Sequence, residues 1–265
     1  MIFSAYSQLI LQDQLIMNVT KNEIIDGFKK LGIGTGDSVT IHSSLKSLGH
    51  VDDGAHTVIQ ALLDVIESQG TILMPAFSFS LKNAEQPVFD VSETPSCVGT
   101  ITEVFRKEHS SHRSIHLTHS YSALGPLAEE LTSHKLDITP CGQDSPLAKF
   151  MRHNGKILLV GVGYNSCTAF HVVEEMMYVP YMNFYVNENA RYKMDGKLFP
   201  LPSRLVKGFK YDFNIIAADF LAEDVVQEEK IGNATVKAFS SDRFMAYVEK
   251  RLREDINYFF KGYCS

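Results

Sequence analysis

The stretch KILLVGVGYNSCTAFHVVEEMM, Lys156–Met177, decides the fold class. KILLVGVG is the most strand-like segment of the chain, and TAFHVVEEMM after it spaces its apolar residues as a helix. A strand that passes through a tight glycine turn into a helix is the repeating unit of a layered α/β domain. The GVG turn, Gly161–Gly163, invites a dinucleotide-loop reading, but Ser166 stands where the third glycine of that fingerprint belongs. A turn that needs small residues explains the glycines as well.

Upstream, the same alternation continues. TKNEIIDGFKKLG predicts a helix with Thr20 as N-cap, Glu23 closing a capping box and Gly32 as the stop. DSVTIHSSL reads as a strand, AHTVIQALLDVIESQG as a helix ending at Gly70, and TILMPAF as a strand covered on both faces. A polar, proline-containing passage at 81–96 precedes a helix in VGTITEVFRKEH. SIHLTHSYSALG then reads as a strand running into a loop, and PLAEELTSH and SPLAKFMRHNG as helices. Downstream of Met182 the character changes to a hairpin-rich insertion, about 182–214, with Asp195–Gly196 as a turn. Helices are expected around 215–230 and 241–260. The segment at residues 1–17 reads as an extension, dispensable or preceding the true translation start, and 18–265 as one domain.

Composition narrows the function. The 265 residues are 45% hydrophobic and 21% charged, which marks a folded globular chain able to bury a core. A net charge of -6 with interspersed signs offers no basic face for nucleic acid. The apolar N-terminus lacks a basic leader region, and no segment reaches the roughly 18 apolar residues of a membrane span. Cys97, Cys141, Cys167 and Cys264 form no CxxC pair, so they read as reduced thiols of a cytoplasmic protein.

Several residues could carry chemistry. His171 and Glu174 are three apart and His171 and Glu175 four apart, so either carboxylate can lie beside the imidazole on one helix face. Such a pair fixes the imidazole tautomer and makes a general base near neutral pH. Thr168 places a hydroxyl one turn upstream. Competing readings of the same stretch are a zinc site, for which the second helical histidine is missing, a Cys167–His171 thiolate pair, and a helix-surface pair without a role. In TIHSSLKSLGH, a strand ends in His42, Ser43 and Ser44, with Ser47 and Gly49 before the next helix. Hydroxyls and backbone N–H groups there can converge on a phosphate or pantetheine, or the serines merely cap a turn. His112, Arg113, His116 and His119 crowd one probable strand end, suited to a cleft wall or to nothing at all.

VTIHSSLKSLGHVDDGAHTVIQALLDVIESQGTILMPAFSFS, RSIHLTHSYSALG, GQDSPLAKF, KILLVGVGYNSCTAFHVVEE and IGNATVKAF follow one another as do the blocks of the aminoglycoside 3-N-acetyltransferase family, which this chain resembles from about Val19 to near residue 250. The resemblance implies a layered mixed β-sheet flanked by helices and acyl transfer from acetyl-coenzyme A, a co-substrate, to a small-molecule amine, without a metal. It implies that Thr168, His171 and Glu174 lie at the reacting centre. His171 would take the amine proton, Glu174 orient it, and Thr168 hydrogen-bond near the thioester. His42, Ser43, Ser44 and Leu45 would line the pantetheine–phosphate path, with Ser47, Gly49, His119 and Ser120 beside the coenzyme. Glu175, Arg191, Tyr192 and Asp212 are expected to meet the acceptor, the last three from the insertion. The sequence departs from the family pattern at Cys167, where asparagine is expected, and at Leu117, where proline is. Its NSCT wording is closer to relatives acting on amino sugars in surface-polysaccharide pathways. Two other outcomes stay open, ping-pong transfer through Cys167 and a coenzyme- or sugar-binding protein without catalysis. A homodimer is compatible with the family.

Overall fold

A computed structural model describes residues 18–264, and the expected extension at 1–17 lies outside them. Helix α1, Lys21–Lys30, begins as its sequence dictates. The Thr20 hydroxyl accepts the Glu23 N–H and the Glu23 carboxylate accepts the Thr20 N–H at 2.7 Å, which satisfies two donors a helix start leaves free. Among the described residues seven strands form the main sheet: β1 Ser38–Ser43, β2 Thr71–Pro75, β3 His112–Arg113, β4 Tyr121–Leu124, β5 Lys156–Val160, β6 Gln227–Ile231 and β7 Ala234–Ser240. Their order is β6-β7-β5-β1-β2-β4-β3. The central three, β5, β1 and β2, run parallel, and the flanking pairs are antiparallel, so the sheet is mixed.

Period-two alternation assigns each side chain to a face. Val39 and Ile41 of β1, Ile72 and Met74 of β2, and Leu158 and Val160 of β5 join Ile24 and Phe28 of α1 and Val58, Ile59 and Leu62 of α2, Ala55–Ile66, in one core. Leu73, Ile157, Leu159 and Phe239 face the other way and meet helices α3, Pro146–Arg152, α4, Ala169–Met176, and α5, Ser241–Glu254. That second core is aromatic: Phe170 stacks on Phe213 at 4.3 Å and meets Phe244 edge-on at 4.8 Å. Each fully buried ring contributes roughly 1.5–3 kcal/mol through burial alone. A satellite core of Phe89, Leu117, Ala190, Leu201 and Leu205 lies under the insertion.

Three expectations need correction. The helix expected at 215–230 ends at Ala222, and the chain then forms the β6–β7 hairpin. QEEKI is an edge strand whose polar residues face solvent, a pattern that hides a strand among helix formers. The last helix stops at Glu254, and Phe260–Tyr263 is a strand paired with Phe209–Tyr211. Residues 114–120 do not extend as a strand, because His116 Nδ1 accepts the N–H groups of Thr118 and His119, and a backbone bonded to a side chain leaves the ladder. The Asp195–Gly196 turn is present, both residues at positive φ, between Arg191–Met194 and Lys197–Pro200. This hairpin also pairs in parallel with Val88–Asp90, inside the passage that reads as merely polar.

Candidate active site

A cavity of about 380 Å³ opens at the carboxyl ends of the parallel strands. His42 and Ser43 from the end of β1, Pro75 from β2 and Val162 after β5 form its floor, the position where open α/β sheets expose their strand ends to ligands. The segment Val206–Phe209 with Tyr211 forms the opposite wall, and Thr168 and His171 of the α4 start stand between them. The GVG turn that leads there is a packing junction: Gly161 has φ +66, and a Cβ on it would lie 2.4 Å from the Ser47 Cβ. Two asparagines then tie the turn to the aromatic wall, Asn165 Oδ1 accepting the Phe213 N–H at 2.6 Å and Asn214 Oδ1 the Tyr164 N–H at 3.0 Å.

Within that frame His171 Nδ1 sits 2.6 Å from Glu174 Oε2. Glu174 is 0% exposed, whereas His171 keeps an edge to the cavity at 18%. Tyr181 donates its hydroxyl to Glu174 Oε1 at 2.7 Å, so both carboxylate oxygens accept. Burial, and then the Glu174 charge, push the Tyr181 phenol up, which keeps it a donor. A carboxylate that accepts at Nδ1 places the proton there and leaves the Nε2 lone pair free. Phe209, Tyr211 and Phe213 surround the imidazole edge-on, with ring centroids 4.8–5.8 Å away, and fix its plane.

The other expected residues divide. Thr168 lines the cavity, and its side chain makes no capping bond to the helix. His42, Ser43 and His119 also line it. The His42 Nε2 and Ser43 Oγ are buried without partners, and burial lowers His42 to about 4, so it is a neutral imidazole. Lys82 and Lys207 add cationic side chains. Unpaired buried donors and acceptors beside two lysines fit a polar, phosphate-bearing molecule such as acetyl-coenzyme A.

Ser44, Leu45, Ser47, Gly49 and Ser120 are not on the cavity wall. The Ser47 hydroxyl donates to Ser44 Oγ at 2.9 Å under the GVG turn, Leu45 packs against the α1–α2 core, and Gly49 turns the chain at φ 96. Ser120 donates to the Ala76 carbonyl at 2.7 Å.

The four expected acceptor contacts are also off this cavity's wall. Glu175, one residue round the helix from Glu174, opens into a second cleft of about 810 Å³. There it accepts from the Thr139 hydroxyl, and burial raises its carboxyl. Met182 borders both cavities. Arg191 donates to the carbonyls of Glu188 and Ala190, Tyr192 stacks on Phe199 at 5.1 Å, and Asp212 caps the turn at Asn214. What the insertion brings to the cavity is instead Met182, Val206–Phe209 and Tyr211.

Cys167 lines the cavity but is only 1% exposed, and burial pushes its thiol up to about 12. A thiol held protonated is a poor nucleophile. Among the described residues no group of three or more His, Cys, Asp or Glu side chains is placed to hold a metal ion, and no helix is long and apolar enough to cross a membrane. Sequence reasoning missed Tyr181 and the aromatic wall. The available signal was the alternation of aromatic and polar residues at 209–213, FKYDF, which puts three rings on one face of a short strand.

The family model described as aminoglycoside 3-N-acetyltransferase matches residues 40–253. The SPbeta prophage-derived aminoglycoside N(3')-acetyltransferase-like protein YokD of Bacillus subtilis is 31% identical over 252 residues, 87% of this chain and 91% of that protein. Aminoglycoside N(3)-acetyltransferase III of a Salmonella species is 32% identical over 238 residues, 82% of this chain and 80% of that protein. The crystal structure of YokD superposes with a TM-score of 0.78 at 29% identity, covering 91% of this chain and 96% of that one. A mutant of aminoglycoside acetyltransferase AAC(3)-IVa in complex with a gentamicin superposes with a TM-score of 0.80 at 26% identity, covering 92% of each.

Proposed function

The chain belongs to the aminoglycoside 3-N-acetyltransferase family and is a coenzyme-A-dependent N-acetyltransferase; from that premise we propose that it acetylates an amine of an aminoglycoside or amino sugar by direct attack, with His171 as general base. The observation that supports this most is the 2.6 Å contact between His171 Nδ1 and a wholly buried Glu174, on a ring whose other edge reaches the cavity. Acetyl-coenzyme A supplies an acyl group already activated as a thioester. The protein must therefore hold the amine, remove its proton and favour the developing negative charge.

His171 Nε2 accepts the amine proton as the new C–N bond forms, Glu174 stabilises the imidazolium that results, and the imidazolium returns that proton to the coenzyme A thiolate as the C–S bond breaks. Thr168 offers its hydroxyl from the same helix start. His42, Ser43 and His119 flank the space opposite, and Lys82 and Lys207 suit the phosphates of the coenzyme. Glu175 faces the second cleft, whose wall carries Asp137 and Asp144 beside Lys135 and Arg204, and there it would receive a further ammonium of a polycationic acceptor. Direct attack is favoured over transfer through Cys167 because burial keeps that thiol protonated. A free-thiol release assay with acetyl-coenzyme A, run across aminoglycosides, free amino sugars and nucleotide-linked amino sugars, tests the reading. Release that requires one class of amine and vanishes in His171→Ala is the expected result. Release that persists in that variant would overturn it.

A further inference from the structure

We propose that Tyr181 is a positioning residue of this reaction, its hydroxyl holding Glu174 so that His171 presents Nε2 to the amine; this rests on the base role of His171 given above. Glu174 has no exposed surface, so water cannot solvate it, and each oxygen must find its partner within the protein. His171 Nδ1 supplies one at 2.6 Å and the Tyr181 hydroxyl the other at 2.7 Å. Without the second donor, Oε1 would be a desolvated carboxylate oxygen in an aromatic surround. Rotation of the carboxyl group would then remove the acceptor that fixes the Nδ1–H tautomer.

Tyr181 is itself held with care that a casual hydrogen bond does not need. It is 2% exposed. Phe260 stacks on its ring at 4.7 Å and 12°, and Phe209 leans on it at 5.2 Å. These two belong to the paired strands Phe209–Tyr211 and Phe260–Tyr263, so the pair that carries Phe209 against His171 also carries the support of Tyr181. The preceding Pro180 and the positive φ of Tyr178 turn the chain sharply off the end of α4, which brings residue 181 back beside Glu174 on the helix.

Tyr181→Phe removes one oxygen and keeps the ring, so the stack survives. Hydrogen bonds to buried charges are strong enough that kcat should fall roughly tenfold to hundredfold while the KM values of both substrates stay within about twofold. The tautomer is read separately, from long-range proton–nitrogen spectra of protein labelled at histidine nitrogen, with the His171 signals assigned by their absence in His171→Ala. The parent should show the Nδ1–H form and Tyr181→Phe a mixture of forms. A Tyr181→Phe enzyme with kcat within about threefold of the parent, or with His171 still wholly in the Nδ1–H form, refutes the positioning role. If His171→Ala itself keeps turnover, the base assignment fails instead, and the two failures are thereby distinguished.

Discussion

Two groups of histidines face the same cavity, and they differ in partner and in burial. His171 has a carboxylate at its back. His42 and His119 have none, and neither does His116 behind them, whose Nδ1 accepts two backbone N–H groups while Nε2 reaches the Arg204 carbonyl at 3.2 Å. Burial accordingly lowers His42 to about 4, His116 to about 3 and His119 well below its ordinary value. One residue type thus serves two ends. A carboxylate partner orients the one ring that opens to the cavity, and burial makes the others neutral rings that shape a wall.

The comparison can be broken most directly at the base. His171→Ala should lower kcat by about 10² to 10⁴, the range general-base assistance supplies, and His42→Ala should weaken coenzyme binding more than turnover, as steady-state kinetics with each substrate varied will report. Next in size is Glu174→Gln, which keeps the shape and removes the charge. A fall in kcat of at least about tenfold with little change in KM is expected, because the imidazolium loses its counter-charge.

The neutral rings make their own prediction. Unfolded histidine binds a proton near 6.5, whereas folded His42 and His116 resist until about 4 and about 3. Between those values the unfolded state binds more protons, so stability is present above pH 6.5 and is lost as pH falls toward 4, by on the order of 3 kcal/mol for each ring. Urea midpoints measured between pH 7 and 4 will show that decline, and removing His116 should flatten it. The smallest expected effect is at Cys167→Ser. Turnover should change by less than about threefold, and mass spectrometry after incubation with acetyl-coenzyme A alone should find no acetylated protein.

Legibility in the sequence followed the reach of each signal. Local chemistry was plain: the Thr20–Glu23 box, the TILMP and KILLV strands and the His171–Glu174 spacing each depend on a few adjacent residues. The β6–β7 hairpin was hidden because QEEKI sits at the sheet edge and satisfies half its backbone with solvent, so its side chains carry no strand pattern. The coenzyme assignments at Ser44, Leu45, Ser47 and Gly49 followed a strand end one turn too far, since the chain dives under the GVG turn after Ser43. Arg191, Tyr192 and Asp212 have the right chemistry for a sugar, but their direction is set by the hairpin register and a turn cap, neither of which spacing reveals. Tyr181 was invisible for a similar reason: it meets Glu174 only because the chain reverses at the end of α4.

The strand Phe260–Tyr263 gives the site a property of timing. Its ring at Phe260 leaves the ribosome long after His171 has emerged, so a growing chain can assemble the sheet and helix α4 while Tyr181 still lacks its stacking partner. The surroundings of Glu174 are thus completed from a strand far downstream of the helix that carries it, so a site built around one helix answers to distant sequence.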